Sequence, residues 1–252
     1  MTPAPVGQRC PEHSGKPQGV ARMASGARRA GYEGSGAWVT RALIAVNVLV
    51  YLIGVGQGAG INDPGGKLYS QWWLDGPDVA HGDWWRLLTS MFLHANLFHI
   101  GLNMFVLWAI GSPVEAALGR TRFLLLYLVA GLAGSTGALL WTPLSVTLGA
   151  SGAIFGILGA AIVLERQRTY VLGGQAFGLL AVNLIFTFAI PHISIGAHLG
   201  GLAGGALGAL ALSRFGRGHA IYGRLGVIGV AGVVAIAAVS VAVAYWKVRG
   251  YE

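Results

Sequence analysis

The sequence predicts an all-α protein, a polytopic bundle of membrane-spanning helices. Hydrophobic residues make up 54% of the 252 and charged residues only 10%, whereas a soluble domain usually carries about a quarter charged residues. Mean hydropathy is +0.63. Apolar stretches reach 19, 21 and 27 residues, the length a helix needs to cross a hydrocarbon core of about 30 Å. A soluble α/β enzyme with buried strands fails on that length. Only helices and closed barrels can span lipid, and the alternating pattern of a membrane barrel is absent.

Residues 1–36 are polar and rich in Gly, Pro and Arg. They lack the short apolar core of a secretory signal, so a disordered basic tail is expected there, with the first apolar segment as a retained anchor. Seven apolar segments follow, at approximately 38–56, 91–111, 122–141, 150–165, 175–190, 196–213 and 220–246. Lys and Arg set the orientation. Thirteen lie in the tail and in the connections on its side, including Arg120, Arg122, Arg166, Arg168, Arg214, Arg217 and Arg224. Lys67, Arg86, Lys247 and Arg249 are the four on the other side. The expectation is a cell-membrane protein with a cytoplasmic N-terminus and an outer C-terminus.

The connection 57–90 holds Asp63, Asp75, Asp78 and Asp83 together with Trp72, Trp73, Trp84 and Trp85. Paired tryptophans suit the headgroup level, so this reads as a long loop lying partly in the outer leaflet. The fourth segment is short. From Ser151 to Glu165 it rises about 21 Å, less than the hydrocarbon thickness. Thr142 to Gly149 must then dip into the membrane as loop, which is tolerated only against protein or a water-filled cavity. A cavity is therefore expected in front of Ser151.

Polar groups inside apolar helices are costly and are functional suspects. Here they are His94, His99 and Asn103 near segment two, Ser151 opening segment four, and His198 in segment six. Counting from each helix's inner end puts His99, Ser151 and His198 about 18, 21 and 24 Å up. Asn103 lies one turn below His99 on the same face. A serine and a histidine at one depth meet the needs of acyl transfer: the histidine takes the serine's proton and later gives it to the leaving amine. His99, Asn103 and the Ser151 N–H could supply donors to an oxyanion. Each residue alone has a plainer reading, as a back-bonded serine or a packed histidine. Gly149 and Gly152 flank Ser151, and Gly196, Gly200, Gly204 and Gly208 recur at every fourth position of segment six. Small residues at that spacing let helices pack closely, and segment four is the expected partner.

Over roughly residues 38–213 this constellation resembles the rhomboid proteases. The matching elements are Trp85-Arg86, the stretch from His94 through His99 to Asn103, Gly149-Ala-Ser151-Gly152, and Ala197-His198-Leu-Gly-Gly201. Glu115 with Gly119 resembles the family's turn after its second helix, though a charged helix end reads equally well. The resemblance implies a six-helix core at 37–215, with 216–252 adding a seventh helix and a short external tail. It implies a Ser151–His198 dyad that cleaves transmembrane helices of membrane-protein substrates near their outer ends. His99 and Asn103 would form the oxyanion hole and His94 would be structural. Segment five would gate lateral entry, and Phe155 would stack on His198.

Other classes fit less well. The basic residues are scattered among short loops and form no nucleic-acid stripe. Cys10 with His13 offers too few ligands for zinc, H-E-x-x-H is absent, and all four Asp lie in one outer loop. No metal or cofactor is expected. A small transporter lacks a mid-membrane acid to couple an ion. The remaining alternative is a catalytically inactive rhomboid-like protein that binds membrane helices without cutting them.

Overall fold

The computed structural model describes residues 2–4, 7–9, 36–191, 193–213 and 226–251. Two three-residue strands, Thr2–Ala4 and Gly7–Arg9, pair antiparallel. The rest of the expected tail lies outside the described residues, as do residues 214–225, with the expected 215/216 boundary and Arg214, Arg217 and Arg224.

Seven apolar helices make up the bundle among the described residues: α1 (Trp38–Gly56), α2 (Leu97–Leu118), α3 (Arg120–Trp141), α4 (Ser151–Arg166), α5 (Ala176–Ala189), α6 (Ile195–Leu212) and α7 (Val227–Val248). Five are long and apolar enough to cross a membrane. The exceptions are α4 with 16 residues and α5 with 14.

Six of the seven segments match their expected bounds closely, apart from the described start of α7. The second does not. Met91 lies in a 3-10 turn, Ser90–Phe92, because the helix is started later by Asn96, whose side chain accepts from the His99 N–H (2.8 Å). That is the N-cap arrangement. The helix then runs past Gly111 through a π-helical turn, Leu107–Gly111. Pro113 follows, with no N–H to return to the helix; a wide turn is one way to absorb such a break. It ends at Gly119, whose φ of +81° suits glycine. The depth count for His99 therefore started two turns too high. Glu115 is not a solvent-facing helix end. Its buried carboxylate accepts from the N–H groups of Val39 (3.0 Å) and Thr40 (2.7 Å) and from the Thr40 hydroxyl (2.7 Å). It thereby caps α1 where the helix dipole favours negative charge.

α6 runs through the middle, packed on both α3 and α4. α4 is the expected partner and packs as expected, and the glycine rows serve α3 as well. A Cβ on Gly201 would collide with the carbonyl of Gly152 on α4, and one on Gly200 with the carbonyl of Ala133 on α3. α4 is buried almost all round, from Gly152 to Ala161, as a helix apolar on every face must be. α7 leans on α3 and α6 and buries only Val233, Ser240, Ala244 and Val248. Thr136 of α3 donates to the Ser240 carbonyl (2.9 Å).

The connection 57–90 is a folded unit with short helices at Gly66–Trp72, Gly76–Ala80 and Arg86–Thr89. Arg86, almost wholly buried, organises it. Its guanidinium pairs with Asp78 (2.9 Å) and Asp83 (2.8 Å) and donates to the Trp73 carbonyl (3.0 Å). Asp78's carboxyl is held above its ordinary range, first by burial and then by Asp75 beside it, against the pull of Arg86. Tyr69 is buried beneath the unit and donates to the His94 carbonyl (2.7 Å). Burial, then Tyr51 nearby, push its phenol up, which keeps it a donor.

Candidate active site

Ser151 is the first residue of α4 and His198 lies in the first turn of α6. Ser194 starts α6, its hydroxyl accepting from the Ala197 N–H (3.3 Å). The Gly152–Gly201 contact then brings the two backbones together. Ser151 Oγ stands 2.9 Å from His198 Nε2. The Phe155 ring, one turn along α4, stacks on the imidazole at 4.0 Å between centroids and 15° between planes. A phenylalanine therefore provides the expected stacking without a hydroxyl.

The other two residues singled out for the site meet at Gly149, two residues ahead of Ser151. Gly149 has φ +125°, and a Cβ there would stand 2.9 Å from His99 Nε2 and 3.8 Å from Asn103 Nδ2. Glycine alone leaves that space and adopts that backbone readily. The Ala95 N–H donates to His99 Nδ1 (3.3 Å). A neutral His99 therefore carries its proton on Nε2, the nitrogen facing Gly149. Among the described residues the buried Asn103 Nδ2 has no hydrogen-bond partner, a donor left free beside Gly149. The Ser151 N–H, opening a helix, has no intrahelical acceptor either. His94 stands behind this group, buried, its ring edge-on to His99 at 5.1 Å.

The segment before Ser151 is loop, as the short fourth helix requires; Thr142, Leu144, Ser145 and Val146 are exposed, and its last residues are tied to protein. Leu74 and Thr147 exchange backbone hydrogen bonds (2.9 and 2.8 Å), and the Gly149 N–H donates to the Ser90 carbonyl (2.9 Å). These contacts satisfy backbone that would otherwise be stranded at depth. Beside them lies a cavity of about 20 Å³, lined by Ser90, Ser135, Thr147, Gly149 and Gly152, with neither Ser151 nor His198 in its wall; it has room for about one water.

One site residue escaped the sequence reading. Thr187 of α5 is buried, and its Oγ1 lies 2.7 Å from His198 Nδ1 and 2.8 Å from the Asn183 carbonyl. A threonine in an apolar helix ordinarily bonds back to its own turn, so its presence in segment five raised no signal. The depth count would have found it: eleven residues above Ala176, it stands about 16 Å up α5. Among the described residues no three of His, Cys, Asp or Glu are grouped as metal ligands would be.

Residues 81–215, just over half of the chain, match the family model of the Rhomboid domain. The chain is similar to the rhomboid protease GluP of Bacillus subtilis, 41% identical over 138 residues, which are 53% of this chain and 27% of GluP. It is also similar to YdcA of the same organism, 38% identical over 51% of this chain and 67% of YdcA. RHOMBOID-like protein 1 of Arabidopsis thaliana is 39% identical over 53% of this chain and 36% of that protein. The match thus spans well under two thirds of GluP and of the Arabidopsis protein. Apolar spanning helices and the matched domain together lead to one conclusion: the chain is a multi-pass integral membrane protein and belongs to the rhomboid family.

Proposed function

We propose that this protein is an intramembrane serine endopeptidase that cuts transmembrane helices of membrane-protein substrates near their outer ends. The observation that carries the reading is the 2.9 Å contact between Ser151 Oγ and His198 Nε2 in a bundle of apolar helices. His198 Nε2 takes the serine proton as Oγ attacks the scissile carbonyl carbon. The carbonyl oxygen gains the negative charge and meets the His99 Nε2–H, the Asn103 amide and the Ser151 N–H. As the C–N bond breaks, the imidazolium returns that proton to the leaving amine. Water then attacks the acyl-serine, giving a proton to Nε2, which passes it to Ser151 Oγ as the C–Oγ bond breaks and the new carboxyl terminus is released. Lys and Arg counts support a cytoplasmic N-terminus and an outer C-terminus in the cell membrane, which supports chemistry toward the outer face.

The test is purified protein in detergent with a model single-span substrate, comparing wild type with Ser151→Ala. Wild type cleaves, the variant does not, and a chelator leaves the rate unchanged. Equal cleavage by both, or loss with the chelator, contradicts a serine mechanism. Binding of the substrate helix without cleavage by wild type points to the non-cutting helix-binding alternative.

A further inference from the structure

We propose that Thr187 is a positioning residue that sets the tautomer of His198, turning its unprotonated nitrogen toward Ser151. This rests on the dyad proposed above and adds a third group to it. The argument is a count of protons. Thr187 Oγ1 has two neighbours, the Asn183 carbonyl oxygen at 2.8 Å and His198 Nδ1 at 2.7 Å. The hydroxyl has one proton, and the carbonyl can only accept. With that proton on Asn183, a lone pair of Oγ1 faces Nδ1, which must carry the ring's single proton. Nε2 is then bare and accepts from the Ser151 hydroxyl at 2.9 Å. All three hydrogen bonds form in this direction.

The opposite tautomer does less well. With the proton on Nε2, the Thr187 hydroxyl must abandon Asn183 to reach Nδ1, and two hydrogen bonds remain in place of three. It also leaves Ser151 facing a donor, with nothing to take its proton. Thr187 is 2% exposed, so water does not compete for either contact.

A plain threonine bonded to its own helix explains the Asn183 contact alone. It does not explain the short approach to the imidazole from a different helix. The location adds a consequence. Thr187 lies near the outer end of α5, a helix of which only Ala176, Leu180 and Thr187 are buried. The orientation of the base therefore depends on α5 being seated against α6.

The experiment compares wild type with Thr187→Val, which keeps the shape and removes the hydroxyl, and with Thr187→Ser, which restores it. Thr187→Val should lower kcat on the single-span substrate by about tenfold to a hundredfold, the scale of groups that orient a histidine through a hydrogen bond. KM and the thermal midpoint should stay near wild type, and Thr187→Ser should recover most of the rate. Wild-type kcat in Thr187→Val overturns the proposal. So does an equal loss in both variants, which would mean a role in packing.

Nitrogen NMR of histidine-labelled wild type, with His198 assigned by its absence in His198→Gln, needs neither activity nor a folded valine variant. Protonated Nδ1 with unprotonated Nε2 is expected, and the reverse overturns the proposal. If wild type cuts no substrate, the proposed activity fails while the spectrum still decides the tautomer.

Discussion

Two faces of α6 meet the site in different ways. Toward α4 the contact is backbone on backbone, with Gly201 against Gly152 and Gly205 against Gly156, leaving no room for a methyl group on either α6 glycine. Toward α5 the contact is sparse, and the outward face of α5 is open, with Phe177, Ile185 and Phe188 more than half exposed. Ser151 and His198, the proposed nucleophile and base, sit across the first contact. The group that reaches the far nitrogen of the base sits across the second. In lipid there is little hydrophobic drive between helices, so close packing of small residues provides the rigidity. The comparison teaches that Ser151 and His198 face each other across a close glycine-on-glycine interface, while the hydrogen bond behind His198 crosses a sparse one.

Substitutions can break or sharpen this contrast. The largest effect belongs to the reacting pair: Ser151→Ala and His198→Ala should each lower cleavage by about 10³-fold or more, and the double variant little further, since such residues act as a unit. Independent, additive losses would contradict a dyad. Asn103→Ala should cost about 10²-fold in kcat, the usual penalty for one oxyanion donor, without loss of the folded helix signal. On the stiff side, Gly201→Val should destabilise the bundle by about 1–3 kcal/mol or more, because overpacking against backbone cannot be relieved by a rotamer change. Denaturant titration in detergent reads this directly. On the slack side, Ile185→Ala should shift the same titration by no more than about 0.5 kcal/mol. Equal shifts for Gly201→Val and Ile185→Ala would erase the distinction between the two faces.

Most of the bundle was legible because continuous apolar runs leave helix as the sole economical way to satisfy backbone in lipid. The boundaries of α2 were not. Met91 and Phe92 are apolar but fall before the Asn96 cap, and local capping outweighed the hydropathy of the run. The folded connection 57–90 was hidden for a related reason: Arg86, Asp78 and Asp83 read as loop charges until tertiary contact joins them. Ser151, His198, His99 and Asn103 stood out because polar groups are rare in apolar helices. Their convergence was read from depth counts, and the count for His99 began at Gly111, two turns short of where the helix ends at Leu118. Thr187 was missed because its hydroxyl has an ordinary local use.

The dyad itself is open to a direct measurement. A fluorophosphonate, which phosphonylates only an activated serine with loss of fluoride, is incubated with wild-type protein and with His198→Ala, and the adduct is located by mass spectrometry of peptides. The account predicts a single adduct on Ser151 in wild type and little or none in His198→Ala over the same time. An adduct on another serine, or equal labelling of Ser151 without His198, would contradict it.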